Sequence, residues 1–158
     1  MDHYYSSNPT SESNERIIEY NINEQRFEFI SDNGVFSKGH VDFATDFMLR
    51  TIVNEITGDV LDLGCGYGVI GIVASKIGNT NKVVMCDINN RALDLARRNA
   101  TKNRVTNIEV IESDGFTNIT GKYDTIITNP PIRVGKAVIY QMYKDAIDIL
   151  GINDNVSD

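Results

Sequence analysis

From Arg16 the chain alternates apolar and polar residues in two stretches, Arg16 to Ile22 and Arg26 to Ile30. Asn23, Glu24 and Gln25 lie between them, and the pattern predicts a β-hairpin with a short loop. Asp32-Asn33-Gly34 follows as a turn, because Asn and Gly tolerate positive φ. From Val41 the spacing becomes helical, with Ala44, Met48 and Ile52 four apart and Phe47 and Ile56 flanking the stripe. Gly58 then reads as a left-handed cap closing that helix. Beyond it, strand-like and helical segments alternate. Asp59 to Cys65, Lys82 to Ile88, Ile108 to Ser113 and Tyr123 to Thr128 read as strands. Val69 to Ile77 reads as a short helix ended by Gly78, and Arg91 to Lys102 as a second with Ala92, Leu93, Ala96 and Ala100 on one face. A third, from about Lys136 to Leu150, repeats Val138, Met142, Ala146 and Leu150 at four-residue steps. This alternation predicts an α/β fold, a Rossmann-like parallel sheet with right-handed crossovers, preceded by the hairpin.

The expected organisation is a polar arm over residues 1–15, a hairpin and helix over 16–58, a core over 59–150 and a polar tail over 151–158. At 158 residues with 41% apolar side chains, one globular domain with a real core is expected. No run of ~18 apolar residues and no basic-then-apolar leader occurs, which predicts a cytoplasmic protein with no membrane partner. Cys65 and Cys86 lack the paired spacing of a zinc site, so neither a disulfide framework nor a metal site is expected. The net charge of -7 argues at first against a nucleic-acid partner. It is unevenly spread, however: residues 1–58 carry -6, residues 59–144 carry +3 and residues 145–158 carry -4. Arg91, Arg97, Arg98, Lys102 and Arg104 cluster in the basic middle with only Asp94 against them, a solvated face or an RNA contact.

Leu61-Asp62-Leu63-Gly64-Cys65-Gly66-Tyr67-Gly68 falls where a buried strand hands over to a helix. Glycines there allow a close backbone approach to a ligand, and the N–H groups opening the helix favour negative charge. Gly66-x-Gly68-x-x-Gly71 satisfies the dinucleotide fingerprint, and Asp87, 21 residues after Gly66, suits ribose hydroxyls. The turn therefore predicts a nucleoside cofactor without saying which. Asp62 would repel a pyrophosphate and attract an ammonium group, which suits a nucleoside bearing an amino acid.

With Asn129-Pro130-Pro131-Ile132 at the end of the fourth core strand, the chain resembles the class I S-adenosylmethionine-dependent methyltransferases. More narrowly, it resembles the methyltransferase small domain family, which includes ribosomal RNA guanine-N2 methyltransferases. The residues carrying the resemblance are Asp62 to Gly68, Asp87, Asp114 and Asn129-Pro130-Pro131, with Gly34-Val35-Phe36-Ser37, Asp42 and Thr45 upstream. The resemblance implies that Gly64, Gly66 and Gly68 cradle the methionine moiety of S-adenosyl-L-methionine, with Asp62 near its amino group. It also implies that Asp87 holds the ribose, Ile88 packs on the adenine, and Asp114 with Phe116 meets the adenine edge.

The Asn-Pro-Pro motif suits methylation of an amine. The Asn129 side-chain oxygen and the Pro130 carbonyl can accept the two N–H bonds of an exocyclic amine, aiming its lone pair at the methyl group. Pro130 and Pro131 remove competing donors and stiffen the backbone. Ile132 stands where nucleobase methyltransferases often carry an aromatic residue, while Arg133 and Lys136 are placed to meet phosphate.

The implied seven-stranded sheet needs three strands beyond the four central ones, on the order of 45 residues. Only eight residues follow Leu150, a mostly polar stretch unlike a strand, so a C-terminally truncated chain is expected, with the Tyr123 to Thr128 strand as an exposed edge open to self-association. The leading expectation is a transferase methylating guanine N2 in ribosomal RNA. The alternatives are a protein glutamine-amide methyltransferase, a nicotinamide-dependent oxidoreductase, and a non-catalytic remnant that binds cofactor or RNA.

Overall fold

The structure is a computed structural model that describes residues 14–32, 39–128, 147 and 149–150. Strands β1 (Arg16–Ile22) and β2 (Gln25–Ser31) form the expected antiparallel hairpin. Gln25 pairs with Ile22, so the loop is the two residues Asn23 and Glu24 and not three. Both sit at positive φ, 50° and 63°, the left-handed pair whose twist matches that of the flanking strands. Ile18, Tyr20, Ile22, Phe27 and Phe29 are buried on one face of the hairpin.

Helix α1 (Phe43–Ile52) starts where Asp42 caps it, accepting from the Thr45 backbone N–H at 2.9 Å and the Thr45 hydroxyl at 3.0 Å. Its buried face is Thr45 and Leu49, continued by Val53, one residue out of phase with the expected stripe; Ala44 and Phe47 are exposed. Asp46 fixes this rotation from the other side, accepting from the Tyr20 hydroxyl at 2.6 Å and from Arg50 at 2.8 Å. Phe43 and Phe47 remain 80% and 63% exposed.

Gly58 does not cap this helix. It lies inside β3 (Thr57–Leu63), at a register shift in the pairing with β4. With φ at +73° and the Asp124 side chain pressed against it, no Cβ fits there. Asp124 in turn accepts from the Asp59 N–H at 2.8 Å, locking the start of the strand.

The core alternates as expected through α2 (Val69–Ile77), β4 (Asn79–Asp87), α3 (Asn90–Lys102), β5 (Ile108–Glu112) and β6 (Thr125–Thr128). The four strands are parallel in the order β5-β4-β3-β6. Alternation along β3 and β4 puts Val60, Val83 and Met85 into the core shared with α2, α3 and the hairpin. It puts Leu61, Leu63, Val84 and Cys86 into a second cluster with Ile119 and Tyr123, against which Phe116 and Ile149 pack. Because the four strands are parallel they end on one side of the sheet, and Asp62, Gly64, Gly66, Gly68, Asp87, Ile88 and Asp114 lie at or just past those ends.

Candidate cofactor and active site

The glycine turn is built by the sheet beneath it. Gly64 and Cys65 both donate to the Cys86 carbonyl at 2.9 Å, tying the turn to the end of β4, and Gly68 donates to Cys65 at 3.0 Å. Gly64, Gly66 and Gly68 all have positive φ, at 75°, 57° and 104°. They serve different purposes. A Cβ at Gly68 would meet Ile72 Cδ1 at 3.0 Å and Ala96 at 3.4 Å, so α2 and α3 close over that position. Among the described residues, a Cβ at Gly64 would meet nothing within 4 Å, so they leave open space in front of the turn. Gly71, one turn into α2, fulfils the close-packing role of the third fingerprint glycine, since a Cβ would lie 2.5 Å from Met85 Sδ.

Two buried carboxylates bracket this turn. Asp62 is 1% exposed; its Oδ2 accepts from the Gly71 N–H at 2.9 Å, while its Oδ1 is buried with no hydrogen-bond partner. Burial pushes its pKa up to about 7, opposed by the Gly71 hydrogen bond and reinforced by the Asp87 charge. Asp87, at the end of β4, accepts from the Gly66 N–H at 2.8 Å through Oδ2 and from the Asn89 N–H at 3.0 Å through Oδ1. It therefore holds the turn in place from the neighbouring strand. Asn89 caps α3, accepting from Ala92 N–H at 3.0 Å.

Ile88 is half-buried beside Asp87. Asp114 is exposed just past β5, in a turn tied back to the site because Ser113 donates to the Asp87 carbonyl at 3.1 Å. Asp62, Gly64, Gly66, Gly68, Asp87, Ile88 and Asp114 thus gather at one sheet edge. Phe116, expected with Asp114 at the adenine edge, is half-buried and packs against the apolar cluster of Leu61, Leu63, Val84 and Cys86. Asn129, Pro130, Pro131, Ile132, Arg133 and Lys136 lie outside the described residues, as does the segment 33–38; Thr128, immediately before Asn129, pairs with Leu63 at the same edge. Cys65 and Cys86 are buried, and burial pushes the Cys65 thiol well above its usual range and that of Cys86 up to about 12. Neither offers a thiolate nucleophile at neutral pH.

Sequence reasoning missed two residues that position the turn. Asn99 and Asn103 lie one turn apart on α3 and meet the free edge of β2. Asn103 accepts from Glu28 N–H at 3.1 Å and donates to Glu28 O at 2.8 Å. Asn99 accepts from Ile30 N–H at 2.7 Å, donates to Ile30 O at 3.0 Å, and also donates to Tyr67 O in the glycine turn at 2.8 Å. Their amides stand in for a third strand and link the hairpin to the turn. The signal was two asparagines in the stripe of Ala92, Ala96 and Ala100, core positions at which a polar side chain needs partners.

The basic cluster of the sequence divides. Arg98 pairs with Glu15 at 2.7 Å and Asp94 at 3.4 Å, Arg91 with Asp32 at 3.7 Å, and Lys102 with Glu28 at 3.7 Å. Among the described residues, Arg97 and Arg104 have no ion-pair partner. No helix among the described residues is long and apolar enough to cross a membrane.

The profile of the methyltransferase small domain matches residues 26–153, covering the hairpin's second strand, the glycine turn and the whole described sheet. The chain belongs to the methyltransferase small domain family. This methyltransferase-family domain is 37% identical over 152 residues to the uncharacterized protein YbxB of Bacillus subtilis (strain 168), covering 94% of this chain and 76% of that one. It is 44% identical over 114 residues to ribosomal RNA small subunit methyltransferase C of Haemophilus influenzae (strain PittGG), covering 72% of this chain and 34% of that protein. Among solved structures, the domain is similar to the T. thermophilus 16S rRNA N2 G1207 methyltransferase in complex with AdoMet and guanosine, with a TM-score of 0.75 and 26% identity over 85% of this chain and 39% of that one. The domain spans about a third of the length of the named ribosomal RNA methyltransferases.

Proposed function

We propose that the domain is an S-adenosyl-L-methionine-dependent N-methyltransferase whose acceptor is the exocyclic amine of a guanine in ribosomal RNA. The observation that carries this reading is the buried Asp62 Oδ1 without a donor, beside a glycine turn that opens onto free space at Gly64. A buried carboxylate oxygen in that state calls for a cation or a proton. The α-ammonium of an amino-acid-bearing nucleoside supplies the one, and a pyrophosphate supplies neither. The cofactor's reactive feature, once bound, is a methyl group on a cationic sulfur.

The chain's own residues then divide the work. Asp62 pairs with the ammonium group, and the backbone of Gly64, Gly66 and Gly68 lies against the methionine moiety. Asp87, at the end of β4 beside the glycine turn, accepts from ribose hydroxyls. Ile88 packs on the adenine and Asp114 reaches its edge. Asn129 and Pro130 accept the two N–H bonds of the acceptor amine, so its lone pair is aimed before transfer and its developing positive charge is met by two fixed oxygens. Pro131 withholds a competing donor. The extra proton on the methylated nitrogen is acidic and leaves to water, so no strong base is required. Ile132 meets the base and Arg133 a phosphate.

The ribosomal RNA assignment rests on the named relatives: one is called a ribosomal RNA methyltransferase, and the solved one carries guanosine with AdoMet. Incubation of the chain with tritium-labelled S-adenosylmethionine, ribosomal RNA and total cell protein tests the proposal. The expected result is label in RNA, recovered after digestion as N2-methylguanosine and lost with Asn129→Ala. Label in protein glutamine would replace the RNA acceptor with a protein amide, and no transfer with intact cofactor binding would leave a cofactor-binding remnant.

A further inference from the structure

The sheet edge that carries the glycine turn is not the only place where the fold gathers charge. At the opposite end of α2 and α3, a cleft of about 260 Å³ is lined by Arg26, Glu28, Lys76, Lys102, Asn103 and Arg104. Three elements contribute: β2, the last turn of α2, and the end of α3. Four cations face one carboxylate in a protein whose net charge is -7.

Part of that charge has a structural purpose. The C-terminal ends of α2 and α3 each carry about half a negative charge, and Lys76 answers one of them by donating to the Asn103 carbonyl at 2.9 Å. Glu28 is shared between Arg26 at 3.0 Å and Lys102 at 3.7 Å, and Arg26 also pairs with Glu19 at 3.3 Å. Subtracting Glu28, Glu19 and about one charge for the two helix ends still leaves an excess of about one positive charge, at Arg104.

Arg104 is the residue that structure alone does not explain. Val105 donates to Ala100 at 3.1 Å and Arg104 to Thr101 at 3.1 Å, the paired bonds of a Schellman motif. Arg104 occupies its left-handed position at φ +60°, where glycine is the usual residue. An arginine there is strained and, among the described residues, has no ion-pair partner. Arg97 lies two turns back along the same face of α3, exposed and likewise without an ion pair among the described residues.

We propose that this cleft is a second nucleic-acid contact, in which Arg104, Lys102 and Arg26 hold a backbone phosphate of the RNA substrate. It would do so at the far end of α3, about 20 Å from the cofactor edge, as a rise of 1.5 Å over each of 13 residues gives. The inference rests on the RNA reading above and adds a phosphate contact that carries no base specificity. It positions the substrate through the backbone while the chemistry is performed at the other end of the helix.

Fluorescence anisotropy with a labelled RNA hairpin of about 20 nucleotides, titrated with the full chain at roughly 50 to 200 mM salt, tests it. Arg104→Gly is the decisive variant because it separates folding from binding. Glycine suits the left-handed position, so Tm holds or rises, whereas RNA affinity falls about tenfold. The dependence of log K on log salt becomes shallower by about 0.7 to 0.9, the signature of one lost phosphate contact. Lys102→Ala weakens binding in the same direction, Arg50→Ala on α1 leaves it unchanged, and S-adenosylhomocysteine binding is unaffected in all three. RNA binding that survives both Arg104→Gly and Lys102→Ala overturns the cleft while leaving the RNA reading in place. Failure of the wild-type chain to bind RNA even at the lowest salt overturns the RNA reading and the cleft with it.

Discussion

Asp62→Asn should make the domain more stable at alkaline pH and worse at holding its cofactor. The side chain is 1% exposed, with one oxygen on Gly71 N–H and the other without a donor. Burial raises its pKa from 3.8 to about 7. The folded carboxyl therefore keeps its proton over a range in which the unfolded one has lost it. Stability from this group is full below about pH 4 and declines by about 1.4 kcal/mol per pH unit until about pH 7. Across the whole shift, charging Asp62 inside the fold costs up to about 4 kcal/mol. Asparagine keeps the Gly71 hydrogen bond and removes the charge, but leaves a buried NH₂ worth roughly 1 to 3 kcal/mol of lost solvation. That second cost does not vary with pH, so the cleanest quantity is the change in the mutant-minus-wild-type difference between pH 5 and pH 8. About two pH units of the decline fall in that interval, giving about 3 kcal/mol in favour of Asp62→Asn, or roughly 6 to 12 °C in Tm. Thermal unfolding of both proteins at the two pH values measures it directly. Parallel pH profiles for wild type and variant would refute the claim that Asp62 is charged at a cost inside the fold.

Other consequences follow from the same geometry. Because the cofactor's ammonium pairs with ionised Asp62, affinity for S-adenosylhomocysteine should rise up to tenfold per pH unit from pH 5 to about pH 7, and Asp62→Asn should flatten that rise while lowering affinity about 10- to 100-fold. Asn99→Ala abandons the Ile30 and Tyr67 backbone groups and should cost about 3 kcal/mol, read as a lowered midpoint in urea, with a weakened cofactor site. Gly71→Ala pushes a methyl group into Met85 and should destabilise by roughly 1 to 3 kcal/mol, a loss that the pair Gly71→Ala with Met85→Ala partly recovers if packing is the cause.

The core of the domain was legible in the sequence because its strands and helices are short, apolar and punctuated by glycine. The glycine turn with Asp87 followed from a fixed spacing. What escaped depended on partners distant in the chain. Counting apolar residues along α1 favours Phe47, yet Asp42 and Asp46 set the helix rotation and leave Phe47 in solvent. Gly58 carried the mark of a helix cap, but the demand for glycine comes from Asp124, 66 residues further on. Asn99 and Asn103 went unread because their partners are the backbone groups of β2, about 70 residues earlier in the chain.

The central claim is that the edge bounded by Asp62, Gly64 and Asp87 takes S-adenosyl-L-methionine. Calorimetric titration of the whole chain with S-adenosylmethionine at neutral pH tests it most directly. One molecule bound per chain, weakened by Asp62→Asn and by Asp87→Ala and not reproduced by NADH, is the predicted result. No heat of binding at millimolar cofactor, or NADH binding in its place, would contradict it.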